Sequence, residues 1–170
     1  MTTRLYLTPG GFDRLRRRVA ATRAAYQAVC DDNPAALESG DTSGWHDNFA
    51  FEENQRQMHQ LSRQVRELET LMGRATVVPL PHVSPERVIL GSRVTWSFFG
   101  EERPRTCWIS GWDDGDPDKG RVSYNSPLGS ALVGAEPGEE RDLRAVGAAR
   151  RIEVLDVAVV DPMEDVCEAV

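Results

Sequence analysis

Lysine is almost missing from this chain: Lys119 stands alone among 20 Lys and Arg residues. That bias reads as genome composition rather than chemistry. A local absence says more. No lysine or arginine occurs between Arg23 and Arg56, and the gap holds seven carboxylates, Asp31, Asp32, Glu38, Asp41, Asp47, Glu52 and Glu53. The net charge is -7. A chain this negative is a poor general nucleic-acid binder, because backbone binding needs clustered Lys and Arg. Cys30, Cys107 and Cys167 are odd in number, far apart and form no CxxC unit. That argues against a zinc ribbon or a disulfide framework and fits reduced thiols in the cytosol. No apolar run approaches the roughly 18 residues of a membrane span, and a signal-peptide core is lacking. The expectation is a cytoplasmic protein without a membrane segment.

What is present fits a folded chain. Apolar residues make up 40% and charged residues 28% of 170 positions, enough for one ordinary domain or two small ones. Charge is unevenly placed. Residues 4 to 23 carry Arg4, Arg14, Arg16, Arg17, Arg18 and Arg23 against Asp13 alone, so the start is basic and the following stretch acidic.

Thr8-Pro9 marks a helix start, with Thr8 as cap and Pro9 at the first helical position. Gly10 and Gly11 weaken that first turn. Phe12, Leu15, Val19, Thr22, Tyr26 and Val29 then recur at alternating steps of three and four, a coiled-coil seam. Asn33-Pro34 ends or bends the helix. Phe51, Asn54, Met58, Leu61, Val65, Leu68 and Met72 repeat the spacing, with Asn54 the one polar seam residue. The connection is too short for parallel arms, so an antiparallel hairpin of roughly 35 to 40 Å is expected, its acidic turn at the far end. Gly73 is read as the helix stop.

Beyond a proline-containing linker the period changes. Residues 88–99, 105–111, 121–124, 142–146 and 151–157 read as strands, and Ser126-Pro127 opens a short helix ending at Gly134. The expected fold class is therefore α+β. Its divisions are a coiled-coil domain with acidic tip at 1–76, a linker at 77–87, a sheet domain at 88–160 and an acidic tail at 161–170. Trp96, Phe98, Trp108 and Trp112 read first as core and partial-surface packing, with a partner-binding aromatic patch as the alternative.

The run Val122-Ser123-Tyr124-Asn125-Ser126-Pro127-Leu128-Gly129-Ser130-Ala131-Leu132-Val133-Gly134 resembles the I-S-x-x-S-P-L/I-x-x-A/G-L-hydrophobic-G run of the bacterial Gre (GreA/GreB) transcript-cleavage and elongation factors. Leu7-Thr8-Pro9-Gly10-Gly11 and Leu90-Gly91-Ser92-Arg93-Val94 match as well, and the resemblance covers residues 5 to about 157. It implies an N-terminal antiparallel coiled coil and a C-terminal FKBP-like antiparallel sheet domain. It also implies a monomer that docks on RNA polymerase and passes its tip down the secondary channel, close to the RNA 3′ end. Ser126, Pro127, Leu128 and Gly129 are the implied polymerase-binding residues. In such factors two tip acids hold a Mg2+ shared with the polymerase active site, which itself cuts backtracked RNA. The factor is not an enzyme and keeps no stably bound cofactor.

The tip departs from the family pattern D-x-x-E-N-A-E-Y. Here it reads Gly44-Trp45-His46-Asp47-Asn48-Phe49-Ala50-Phe51. Asn48 matches, Asp47 takes the glutamate position, and Gly44 takes that of the first acid. Magnesium asks for oxygen ligands at about 2.1 Å in a strict octahedron. Two-metal chemistry sets the ions roughly 4 Å apart. Asp47 is one methylene shorter than glutamate, and Gly44 offers no ligand. Asp41 is the substitute if the turn folds back, leaving Asp41 and Asp47 as the candidate metal pair and Trp45, His46 and Asn48 as further tip candidates. The expectation is a secondary-channel regulator that inhibits or tunes transcription without robust cleavage stimulation. The alternative is an active cleavage factor working through Asp41 and Asp47. A prolyl isomerase and a structural coiled-coil adaptor are further classes, the first needing a deep apolar proline pocket.

Overall fold

The protein is α+β in a computed structural model that describes residues 4–32, 49–145 and 148–161. Contacts divide the chain into two compact units, Asp13–Arg74 and Met1–Phe12 with Ala75–Val170. The sequence reading placed 1–76 in one domain, whereas contacts put the first twelve residues with the sheet. The cause is a pair of short strands, β1 (Leu5–Leu7) and β2 (Ala75–Val77), which run parallel with Leu5 opposite Ala75 and Leu7 opposite Val77. Three residues carry too little period to be read as a strand from sequence.

The helical unit holds most of α1 (Pro9–Asp31) and all of α2 (Phe49–Arg74). Along α1, Val19 and Thr22 are buried, and Phe12, Leu15, Tyr26 and Val29 are partly buried, as the seam predicts. Along α2, Leu68 is buried and the remaining seam residues Phe51, Asn54, Met58, Leu61, Val65 and Met72 are partly so. Cross-helix bonds relate the arms, among them Arg23 Nε to Glu69 Oε1 at 2.8 Å and Asn54 Nδ2 to the Val29 carbonyl at 3.0 Å. Later residues of α1 thus meet earlier residues of α2. Gly73 does not stop α2; the helix continues to Arg74 and passes directly into β2. No described helix is long and apolar enough to cross a membrane.

The other unit is built on a five-stranded sheet ordered β5-β4-β3-β7-β6. Its strands are β3 (Ser92–Phe98), β4 (Arg105–Ser110), β5 (Arg121–Ser123), β6 (Glu140–Ala145) and β7 (Ala148–Val159). The sheet is mixed rather than purely antiparallel, since β4 and β5 pair parallel, Trp108 opposite Arg121. A one-turn 3-10 helix at Pro117–Lys119 sits in the connection and lets the chain return in the same direction. The core gathers Val88, Val94, Trp96, Phe98, Cys107, Ile109, Leu132, Leu143, Ile152, Val154 and Val157. In β7 the buried residues Ile152 and Val154 are followed by Val157, a break in the two-residue period. The register shows why. Trp96 faces Val154 but Thr95 faces Asp156, so Leu155 is an extra residue that bulges and shifts the phase.

Candidate functional sites

The first candidate site is the acidic connection between α1 and α2. Asp41, Trp45, His46, Asp47 and Asn48 lie outside the described residues, as do Glu38 and Gly44. Its described borders are ordinary helix chemistry. Asp31 and Asp32 are exposed, and Gln27 Nε2 donates to Asp31 Oδ1 at 2.9 Å. Glu53 receives Arg56 Nε at 2.8 Å and Gln57 Nε2 at 2.8 Å, and these donors hold its carboxyl down at about 2. With Arg56 exposed and Glu53 partly so, that pair belongs to surface solvation. His59 and His82 are both exposed. Among the described residues no group of three His, Cys, Asp or Glu side chains could hold a metal ion.

The second candidate site lies on the sheet unit, where β5 runs into α3 (Pro127–Leu132). Ser126 caps that helix, its Oγ accepting the Gly129 N–H at 3.1 Å, and Pro127 occupies the first turn. Gly129 is buried against the backbone of the preceding strand. A Cβ there would fall 2.1 Å from the Ser123 carbonyl oxygen. Ser126 and Gly129 therefore shape the local turn, while Pro127 is exposed and Leu128 half-buried. Pro127 and Leu128 help line a cavity of about 580 Å3, together with Val122, Leu143, Asp113 and Arg121.

Residues that sequence reasoning had not picked out frame this cavity. Arg121 is buried, and its Nη2 meets Asp116 Oδ2 at 2.9 Å. Asp116 also caps the 3-10 turn through the Lys119 N–H and keeps Lys119 Nζ within 3.9 Å. Asp113 holds the left-handed conformation at φ 50°, and its N–H donates to Asn125 Oδ1 at 3.3 Å. Ser123 donates its hydroxyl to the Gly111 carbonyl at 2.6 Å and lies against the Asn125 carboxamide. The Asp-rich turn at 113–118 was the available signal, but nothing in its spacing shows that it folds against the Ser126 run.

Of the aromatics, Trp96, Phe98 and Trp108 are buried and Trp112 partly so. Trp108 at 6% exposure cannot form the outward patch considered with Trp112. Trp112 instead belongs to a cluster with Tyr124, ring centroids 6.3 Å apart, and Tyr124 in turn meets Tyr6 at 6.5 Å. The Trp112 N–H donates to the Tyr6 carbonyl at 3.0 Å, so the cluster fastens β1 to the loop before β5.

The α+β architecture, with two long helices and this strand–turn–helix site, defines a class of two-unit chains with a helical insert. Comparison with known proteins is more specific. The family model "Transcription elongation factor, GreA/GreB, C-term" matches residues 83–159. A transcription elongation factor GreA of Rhizobium leguminosarum bv. trifolii is 30% identical over 159 residues, covering 93% of this chain and 99% of that protein. GreA of Roseiflexus castenholzii is 28% identical over 153 residues, covering 89% and 96%. A solved structure of GreA factor homolog 1 (Gfh1) of Thermus thermophilus aligns over 91% of this chain and 99% of its own at 22% identity, with a TM-score of 0.42. The chain belongs to the GreA/GreB transcription elongation factor family.

Proposed function

We propose that this protein is a regulator that binds bacterial RNA polymerase at its secondary channel and inhibits or tunes transcription without robust stimulation of transcript cleavage. On this reading α1 and α2 form the antiparallel coiled coil of the family, and the C-terminal unit is its FKBP-like docking domain. The protein acts as a cytoplasmic monomer and has no catalytic cycle of its own. Docking uses the face around Ser126, Pro127, Leu128 and Gly129, where Pro127 is exposed beside the cavity.

One observation carries the reading: Gly44 stands where the family pattern has its first tip acid, in a chain related to a GreA over 93% of its length. A glycine contributes no oxygen ligand, and Asp47 has a shorter reach than glutamate. The remaining pair, Asp41 and Asp47, is a thin donor set for a Mg2+ that keeps most of its octahedral demand. The tip still brings negative charge into a narrow channel, where a low-dielectric wall strengthens its field. Occupation is therefore favoured over ion clamping.

The test is RNA shortening in stalled, backtracked polymerase complexes with added magnesium, with and without an active GreA. The expected result is little shortening alone and a slowed GreA reaction in the mixture. Rapid shortening by this protein alone, lost in the double variant D41A/D47A with binding retained, would establish the cleavage-factor alternative instead.

A further inference from the structure

We propose that Asn54 is a positioning residue: it sets the axial register of α1 against α2, and so the offset of the helix ends that flank residues 33–48 in the chain. Asn54 is the only polar residue in the α2 seam of Phe51, Asn54, Met58, Leu61, Val65, Leu68 and Met72. Its Nδ2 donates to the Val29 carbonyl at 3.0 Å. Val29 lies in the last turn of α1, where main-chain carbonyls have run out of partners within the helix. The carboxamide supplies that missing donor from the opposite arm.

An apolar seam alone tolerates more than one axial offset, because each knob finds a similar hole one heptad away. A short side chain bonded to one named carbonyl does not, since the bond is directional and has a narrow distance range. The Arg23–Glu69 pair, by contrast, joins two long exposed side chains that can follow a slip. Asn54 also leaves its Oδ1 buried with no hydrogen-bond partner. A leucine would avoid that penalty. Accepting a poorly satisfied polar group in the seam, in exchange for one fixed alignment, is what a register-setting residue does.

The link from register to transcription rests on the proposed function; the register itself does not. Replacing Cys30 and Cys167 leaves the buried Cys107 in place and allows spin labels at the exposed positions Ala25 and His59. Pulsed electron resonance on the full chain then reads the separation of the arms. Asn54 is expected to give one narrow distance. N54L and N54D, which both lose the donor, are expected to broaden it or to change it in step with an axial slip of about 10 Å, one heptad. Their effect on polymerase should weaken roughly fivefold, the factor carried by one neutral hydrogen bond. N54L should keep or raise the melting temperature, a combination that plain loss of packing does not produce. If N54D fails to fold, N54L decides. An unchanged narrow distance in N54L overturns the proposal whatever happens to transcription. A wild-type protein without effect on polymerase strikes the proposed function and leaves the distance measurement to judge Asn54.

Discussion

Gly129 illustrates how a single missing side chain shapes the site. The Ser123 carbonyl oxygen would lie 2.1 Å from an added Cβ, far inside contact, and both flanking groups are main chain that cannot swing aside. G129A is expected to lower unfolding free energy by about 3 kcal/mol, the upper range for overpacking. Urea denaturation followed by tryptophan fluorescence checks this, and an unchanged midpoint would show that β5 and α3 can separate freely. Cys107 makes a different point. Burial pushes its thiol from 9.0 up to about 11, with the neighbouring Trp96 indole pulling weakly the other way. The folded state thus disfavours the thiolate. Its contribution to stability is complete below pH 9, where the unfolded thiol begins to ionise, and is lost as pH rises towards 11. Unfolding free energy should therefore fall by about 1.4 kcal/mol per pH unit across that window from this group. C107V should remove that component of the slope, as read from urea curves at several pH values. The Arg121–Asp116 pair was harder to anticipate, because a buried arginine is rare and its partner lies across a turn.

At the level of elements, the two helices were legible for a physical reason: a seam repeating every three and four residues lines one face of a helix and fits no strand. The start of α1 was equally plain. Thr8 is buried, its Oγ1 accepts the Gly11 N–H at 3.0 Å, and its carbonyl receives the Phe12 N–H at 2.9 Å. T8A should cost about 1 kcal/mol through the lost cap, measured as a drop in the chemical denaturation midpoint. A fall no larger than a few tenths would mean that water replaces the hydroxyl. Sequence reading saw only weakness in Gly11, whereas a Cβ there would meet Asp114 Oδ2 at 3.0 Å. Propensity is local, and this contact crosses about a hundred residues. The same limit hid β1 and β2, whose partners lie seventy residues apart. It also hid the direction of β5, which is set by the 3-10 turn rather than by strand composition. Leu155 accounts for the broken alternation along β7: the bulge moves Val157 onto the face that simple counting assigns to solvent.

For the whole molecule, the run from Val122 to Gly134 was recognisable because capping serine, first-turn proline and close-packed glycine occupy set places in one short motif. The cavity beside it was not, since Asp113, Arg121 and Leu143 arrive from three separate stretches of chain. The acidic connection was legible in its charge and in its departure from the family tip pattern at Gly44 and Asp47, and the cleavage measurement is its direct test. The parallel ribbon has a different consequence. Leu5 stands opposite Ala75, so the polypeptide leaves for the helical excursion and returns from it at neighbouring points. Residues 13–74 are thus a cassette plugged into a host whose first strand is already stitched shut behind it. A chain in which a short glycine–serine bridge replaces that cassette is expected to fold cooperatively, with the tryptophan emission of a closed core. An aggregated or molten product would mean instead that the host borrows its integrity from the insert. If the bridge holds, lineages could lengthen, shorten or exchange the whole cassette without renegotiating the body that carries it.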